Sequence, residues 1–151
     1  MITILMSATI VGDRGRVWRA LTDPSELLAW DEHLIARVDT PDRYPDAGQH
    51  VRWRYRVGSV QLILHDRPVK VTAPEHLQTS LTLGSMRFER TYRLQEERGE
   101  RPRTQLGVKL TASNSVPVLG SVVDRFDVRK TATAYVDNVL RSVQKWCENH
   151  P

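Results

Sequence analysis

A chain of 151 residues with one cysteine and a formal charge of +4 is long enough to bury a core of its own without disulfides or a structural metal. That suits a single domain over residues 1–151, and it excludes a disulfide framework and any apolar run of membrane-spanning length. The basic residues behind the pI of 9.6 are spread along the sequence and not gathered into a tail, so they give no argument for a nucleic-acid partner.

The start, Met1-Ile-Thr-Ile-Leu-Met-Ser7, lacks the basic opening and cleavage site of a secretory signal, and a lone thiol suits a reducing compartment; a cytoplasmic location is the expectation. Residues 1–11 alternate, with Ile4, Met6, Ala8 and Ile10 in one phase, and predict a strand ended by Gly12-Asp13. Val17, Trp18 and Leu21 space as a short helix closing near Thr22-Asp23-Pro24. Pro24, at the first helical position after Asp23, opens a second helix that runs to Trp30. Leu34, Ala36 and Val38 resume the alternation. The stretch 39–50, rich in Pro, Asp and Gly, is a loop longer than a turn requires, and with Tyr44 between Arg43 and Pro45 it is a candidate lid.

Val51, Trp53, Tyr55 and Val57 then face one way, and Arg52, Arg54 and Arg56 the other. Gly58-Ser59 turns the chain into Val60, Leu62 and Leu64, with a bulge or frayed end expected at Pro68. Leu77, Thr79, Leu81 and Leu83 follow, then a tight turn at Gly84-Ser85, and then Met86, Phe88, Arg90, Tyr92 and Leu94 on one face. Beyond a charged loop, Leu106, Val108, Leu110 and Ala112 make the last strand. Residues 121–149 read as one long helix. Ala132, Tyr135, Val136, Val139, Leu140, Val143, Trp146 and Cys147 form its apolar stripe, and Ser121 and Asp124 have capping-box spacing at its start. The sum is an α+β architecture: a curved antiparallel sheet of about seven strands wrapped around a long C-terminal helix, with two short helices between the first strand and the second. A gap between sheet and helix would be a ligand cavity.

The stretch Asp13-Arg-Gly-Arg-Val-Trp-Arg-Ala-Leu-Thr-Asp-Pro-Ser-Glu-Leu-Leu-Ala-Trp30 resembles the opening of the START-like (SRPBCC) superfamily, also called the polyketide cyclase/dehydrase group. Ile10, Val17, Trp18, Leu21, Asp23, Pro24 and Trp30 match position by position its strand end, Val-Trp pair, Leu-Thr-Asp-Pro and closing Trp. The resemblance implies the helix-grip fold, whose order of elements agrees with the one read above. It selects no activity, because that superfamily includes lipid and hormone carriers, aromatic polyketide cyclases, allergens and chaperone activators. Trp18 and Trp30 are expected to pin the helices under the sheet.

A charge on the inward phase needs an explanation, and Arg90 is one: sliding the register by one residue would turn Arg87, Glu89 and Arg93 inward instead. Arg125 and Arg129 make the first half of the long helix's stripe basic, as a lip over the open end of the sheet would be. One reading has Arg90, with Arg129 and the hydroxyls of Tyr55, Tyr92 and Tyr135, bind an oxygen-bearing or anionic group of an otherwise apolar ligand. The other pairs Arg90 with Asp66 and sends Arg125 and Arg129 to water. The apolar wall is expected from Trp53, Leu64, Leu81, Phe88, Leu110, Val136 and Val139.

Asp31-Glu32-His33 reads as a solvated turn, with an acid/base cluster at a cavity rim as the alternative. His33, His50, His65, His76 and His150 have no metal-ligand spacing among themselves or with Cys147, and no phosphate loop, dinucleotide fingerprint or nucleophile elbow occurs. Neither metal nor cofactor is expected, and Cys147 reads as a packed thiol. No aromatic shares the face of Arg52, Arg54 and Arg56, so that stripe reads as a solvated outer surface and not as a nucleic-acid platform. The leading expectation is a module, monomeric or homodimeric and not inserted in a membrane, that binds an apolar small molecule or lipid-like ligand. The alternative is a polyketide cyclase/aromatase-like enzyme using the same cavity. A chaperone-activator-like interaction domain is a third reading, for which the residues offer little.

Overall fold

Alternation decides the inner face of most strands. β1 (Ile2–Val11), β2 (Leu34–Asp39), β3 (Val51–Val57), β4 (Val60–Thr72), β5 (His76–Leu83), β6 (Met86–Glu97) and β7 (Arg103–Ala112) form one antiparallel sheet in the order β1-β7-β6-β5-β4-β3-β2. In this computed structural model, residues 1–39, 41–112 and 128–151 are described. The sheet curves around the C-terminal helix α3 (Val128–Asn149), and α1 (Arg14–Thr22) and α2 (Pro24–Trp30) lie between β1 and β2. The expected helix start at Ser121 and Asp124, and Arg125 with it, lie outside the described residues.

Local chemistry sets the boundaries. Asp13 accepts a hydrogen bond from the Arg16 amide at 2.7 Å and caps α1. Asp23 closes α1 and caps α2, accepting from the Ser25 amide at 2.8 Å, while Pro24 fills the first helical position. Gly58 and Gly84, both at φ +60, supply the left-handed backbone that the two tight hairpin turns require. The register of β4 against β5 shifts between Pro68 and Lys70, the bulge expected where proline cannot donate to the ladder.

The 22 residues of α3 make a rod of about 33 Å. It packs on β1 and β7 and touches α1 and α2, burying Val136, Val139, Leu140, Val143 and Cys147. Its side chains also cover the outer edge of β1: Gln144 donates to the Thr9 carbonyl at 2.9 Å, and Glu148 accepts from the Val11 amide at 3.0 Å. Where α3 meets α1 and α2, Glu26 gathers Arg16, Arg19 and the Trp146 indole. Trp30 is buried and donates to the Ala20 carbonyl at 2.7 Å, which fixes one short helix on the other. Among the described residues, no helix is long and apolar enough to cross a membrane.

Candidate functional site

Inward-facing positions on three neighbouring strands turn polar at one height. Thr79 of β5 stands opposite Arg90 of β6, and Asp66 of β4 stands opposite Leu81, two residues along from Thr79. On one side of this band Leu77, Tyr92, Leu94, Leu106 and Val108 join Val136, Val139 and Val143 of α3 in a closed core. On the other side Leu81, Leu83, Met86, Phe88 and Leu110 line, with Val128 and Ala132 of α3, a cavity of about 460 Å³. None of the three polar residues lines the cavity itself.

Asp66, 2 % exposed, anchors one end of the band. It accepts from the Tyr44 hydroxyl at 2.6 Å, from the Trp53 indole at 3.2 Å and from the Thr79 hydroxyl. A buried carboxylate held by three neutral donors is satisfied without a counter-ion in contact. Burial first, and Asp66 second, push the Tyr44 hydroxyl well above the usual tyrosine range, so it stays a donor. The alternative that paired Arg90 with Asp66 is not realised, because uncharged donors hold the carboxylate instead. Tyr44 also meets the Trp53 ring edge-on at 5.6 Å. This corrects the expectation of a lid: Tyr44 ties its loop down behind the cavity, and no residue of 41–50 lines the opening.

Arg90 forms the other end. Its Nη1 donates to Tyr135 Oη at 2.9 Å, and its guanidinium lies 4.6 Å from the centre of the Tyr92 ring. Burial works against its charge, but Tyr135, Tyr92, Tyr44 and Asp66 outweigh burial and hold its pKa above the ordinary arginine value. Burial also raises the hydroxyls of Tyr55 and Tyr92, keeping both protonated. Among the described residues no carboxylate comes within ion-pair distance of Arg90.

The turn after α2 is solvated, with the Glu32 side chain 74 % and the His33 side chain 41 % exposed, and it also reaches the cavity. Glu32 and His33 line the cavity, and the His33 ring lies tilted over Tyr55 with centroids 5.8 Å apart. Burial raises the pKa of the Asp31 carboxyl, against the opposing pull of the His33 amide, which donates to it at 3.0 Å, and of the charges on His33 and Arg90. Among the described residues no group of three or more His, Cys, Asp and Glu converges as a metal site would require.

Of the residues expected at a ligand site, Tyr55, Leu64, Leu81, Phe88, Leu110 and Tyr135 line the cavity. Trp53, Arg90 and Tyr92 stand behind its wall, Val136 and Val139 lie in the closed core, and Arg129 is exposed. The cavity adds Leu83, Met86, Val128 and Ala132, together with a rim of Arg56 and Val57 from the end of β3, Gly58 from the turn after it, and Thr131, Ala134 and Asn138 from α3. The last three are spaced three and four apart beside the apolar stripe. Small and polar residues in that position read as solvent-facing from sequence, because a mouth is half solvent itself.

Residues 1–148 match the family model described as polyketide cyclase / dehydrase and lipid transport. The fold is similar to a crystal structure of a Mesorhizobium loti protein, at 16 % identity and a TM-score of 0.74 over 99 % of both chains. It is also similar to a START superfamily protein from Mycobacterium smegmatis, at 10 % identity and a TM-score of 0.72 over 99 % of both chains. A protein of the dynemicin biosynthetic locus matches 97 % of this chain with 47 % of its own length, at 18 % identity and a TM-score of 0.65. The sequence matches no functionally curated protein. With the helix-grip architecture, the matched opening through Trp30 and a family match spanning nearly the whole sequence, the chain belongs to the polyketide cyclase/dehydrase and lipid transport family.

Proposed function

We propose that this chain acts as a single helix-grip domain that binds a predominantly apolar small molecule between α3 and the inner face of β4 to β7. The observation that carries the proposal is the cavity of about 460 Å³, walled by Leu64, Leu81, Leu83, Met86, Phe88 and Leu110. Its size falls within the few hundred to about 1,000 Å³ usual for small-molecule sites. The family description, which couples lipid transport with polyketide chemistry, supports a ligand of this kind. The neutral apolar dye N-phenyl-1-naphthylamine is the probe. Saturable binding with enhanced fluorescence is expected, weakened at least about tenfold by Ala132→Phe, which fills the space from α3 while the fold is retained. A wild-type chain that fails to bind the dye, or an Ala132→Phe chain that binds it equally well, overturns the proposal.

A second reading, cyclisation or dehydration of a carbonyl-rich substrate, is favoured by the turn after α2, where Glu32 and His33 line the cavity and the His33 amide donates at 3.0 Å to the Asp31 carboxyl, whose pKa burial raises. The dynemicin-locus likeness is compatible with it. It is tested by asking whether the chain accelerates cyclisation of a synthetic poly-β-ketone thioester and whether Asp31→Asn removes that acceleration.

A further inference from the structure

We infer that the polar end of the cavity selects its ligand by hydrogen-bond direction, taking a carbonyl or carboxylate oxygen at Tyr135 Oη and rejecting protonated amines. The inference rests on the cavity reading above and specifies which end group the apolar ligand carries.

A guanidinium has donors and no acceptor. When Arg90 Nη1 donates to Tyr135 Oη at 2.9 Å, it takes up acceptor capacity on the phenol oxygen and leaves the phenol's own hydrogen free. Tyr135 lines the cavity and Arg90 does not, so the arginine meets a ligand only through that hydroxyl. Arg90 is thus a positioning residue: it turns Tyr135 outward as a donor and strengthens it, since a hydrogen bond from a charged donor polarises the O–H.

Charge points the same way. Arg90 has no ion-pair partner among the described residues, and the two carboxyls that it senses are already committed. Asp66 is held by Tyr44, Trp53 and Thr79, and Asp31 is shifted toward its neutral form. The acid that a cation would meet, Glu32, sits at the rim beside His33, with its carboxylate 3.8 Å from the imidazole. The Tyr135 end is therefore donor-rich and positive, and a ligand reaching it gains only by bringing an acceptor.

Three compounds on one frame test this: 2-acetylnaphthalene, 2-ethylnaphthalene and 1-(2-naphthyl)ethylamine, titrated calorimetrically at pH 7 into the full chain and into Tyr135→Phe and Arg90→Met. Wild-type protein is expected to bind the ketone about tenfold more tightly than the ethyl compound and the amine at least about tenfold more weakly than it. Tyr135→Phe should bind the ketone and the ethyl compound alike. Arg90→Met should lose part of the ketone preference although the phenol remains, which a purely structural role of Arg90 does not produce. Equal binding of all three compounds by wild type, or an undiminished ketone preference in Tyr135→Phe, overturns the selectivity and leaves the cavity standing. Binding of none of the three overturns the cavity and this inference together.

Discussion

Trp146 Nε1 donates to Glu26 Oε1 at 2.7 Å across 120 positions of sequence, and Arg16 Nη2 lies 2.8 Å from the same oxygen. The contact joins the C-terminal end of α3 to α1 and α2, with Arg16 itself only 9 % exposed. Burial alone would raise the Glu26 pKa, but the hydrogen bonds from Trp146, Arg16 and Arg19 and the Arg16 charge outweigh it, so the net shift is downward. A depressed carboxylate contributes stability that is present above its unfolded pKa and lost as pH falls through the folded one. Glu26→Gln is expected to cost about 2 kcal/mol at pH 7 by urea denaturation. The gap between the two proteins should begin to close as pH falls below about 4.3, the ordinary glutamate value, and vanish below the folded value. A deficit that stays constant through the acid range would show that the glutamate charge contributes nothing.

Asp66 serves three buried donors from a loop and two strands, so truncating it leaves all three unpaired. Asp66→Ala is expected to destabilise by at least about 3 kcal/mol, and Tyr44→Phe, which removes one donor and leaves the carboxylate with two, by about 1 kcal/mol. Chemical denaturation of both variants checks the order. Equal losses would mean that the loop anchor, and not the carboxylate, holds the cluster.

Asp31 has the opposite sign from Glu26. Its folded pKa is raised, so the folded state holds the proton more tightly and stability falls as pH climbs from the ordinary aspartate range, about 3.9, through the folded value. Asp31→Asn keeps an acceptor for the His33 amide and removes the ionisation. Its melting temperature is expected to match or exceed that of wild type near neutrality and to vary less between acid and neutral pH. A variant less stable than wild type at neutral pH, with an unchanged pH profile, would contradict the burial of this carboxyl.

Burial pushes the Cys147 thiol up to about 11, against the lowering influence of Arg16, and only 1 % of the residue is exposed. Iodoacetamide at pH 8 should leave the native chain unmodified over hours and alkylate it within minutes in denaturing urea, as read by mass spectrometry. Rapid labelling of the native chain would place the α3 C-terminus in a much looser contact.

The faces of the strands were legible because period-two alternation is a local property: the inward phase of Leu77, Thr79, Leu81 and Leu83 recurs in the burial of β5, and the bulge at Pro68 follows from its missing donor. Depth along a strand is not local. Leu77 and Leu81 share a face, yet one closes the core and the other lines a cavity, because the course of α3 across the sheet decides where side chains meet and where they stand apart. Partner choice failed for the same reason. Asp66 was visible in phase with Leu62 and Leu64, but its donor Tyr44 arrives from a loop whose path no periodicity encodes. Asp31-Glu32-His33 carries the composition of a surface turn, and only the tertiary position of the α2 end turns it toward the cavity.

Asp66, Thr79 and Arg90 divide the interior so that its two halves answer to different demands. A substitution at Met86 or Leu83 reshapes the cavity wall, while Leu77, Val108 and Val143 keep their contacts on the far side of the band. Sites separated in this way add their effects nearly independently. Such a chain can change the lining of its cavity under selection without losing its anchorage, and chains with 10 to 16 % identity keep one architecture.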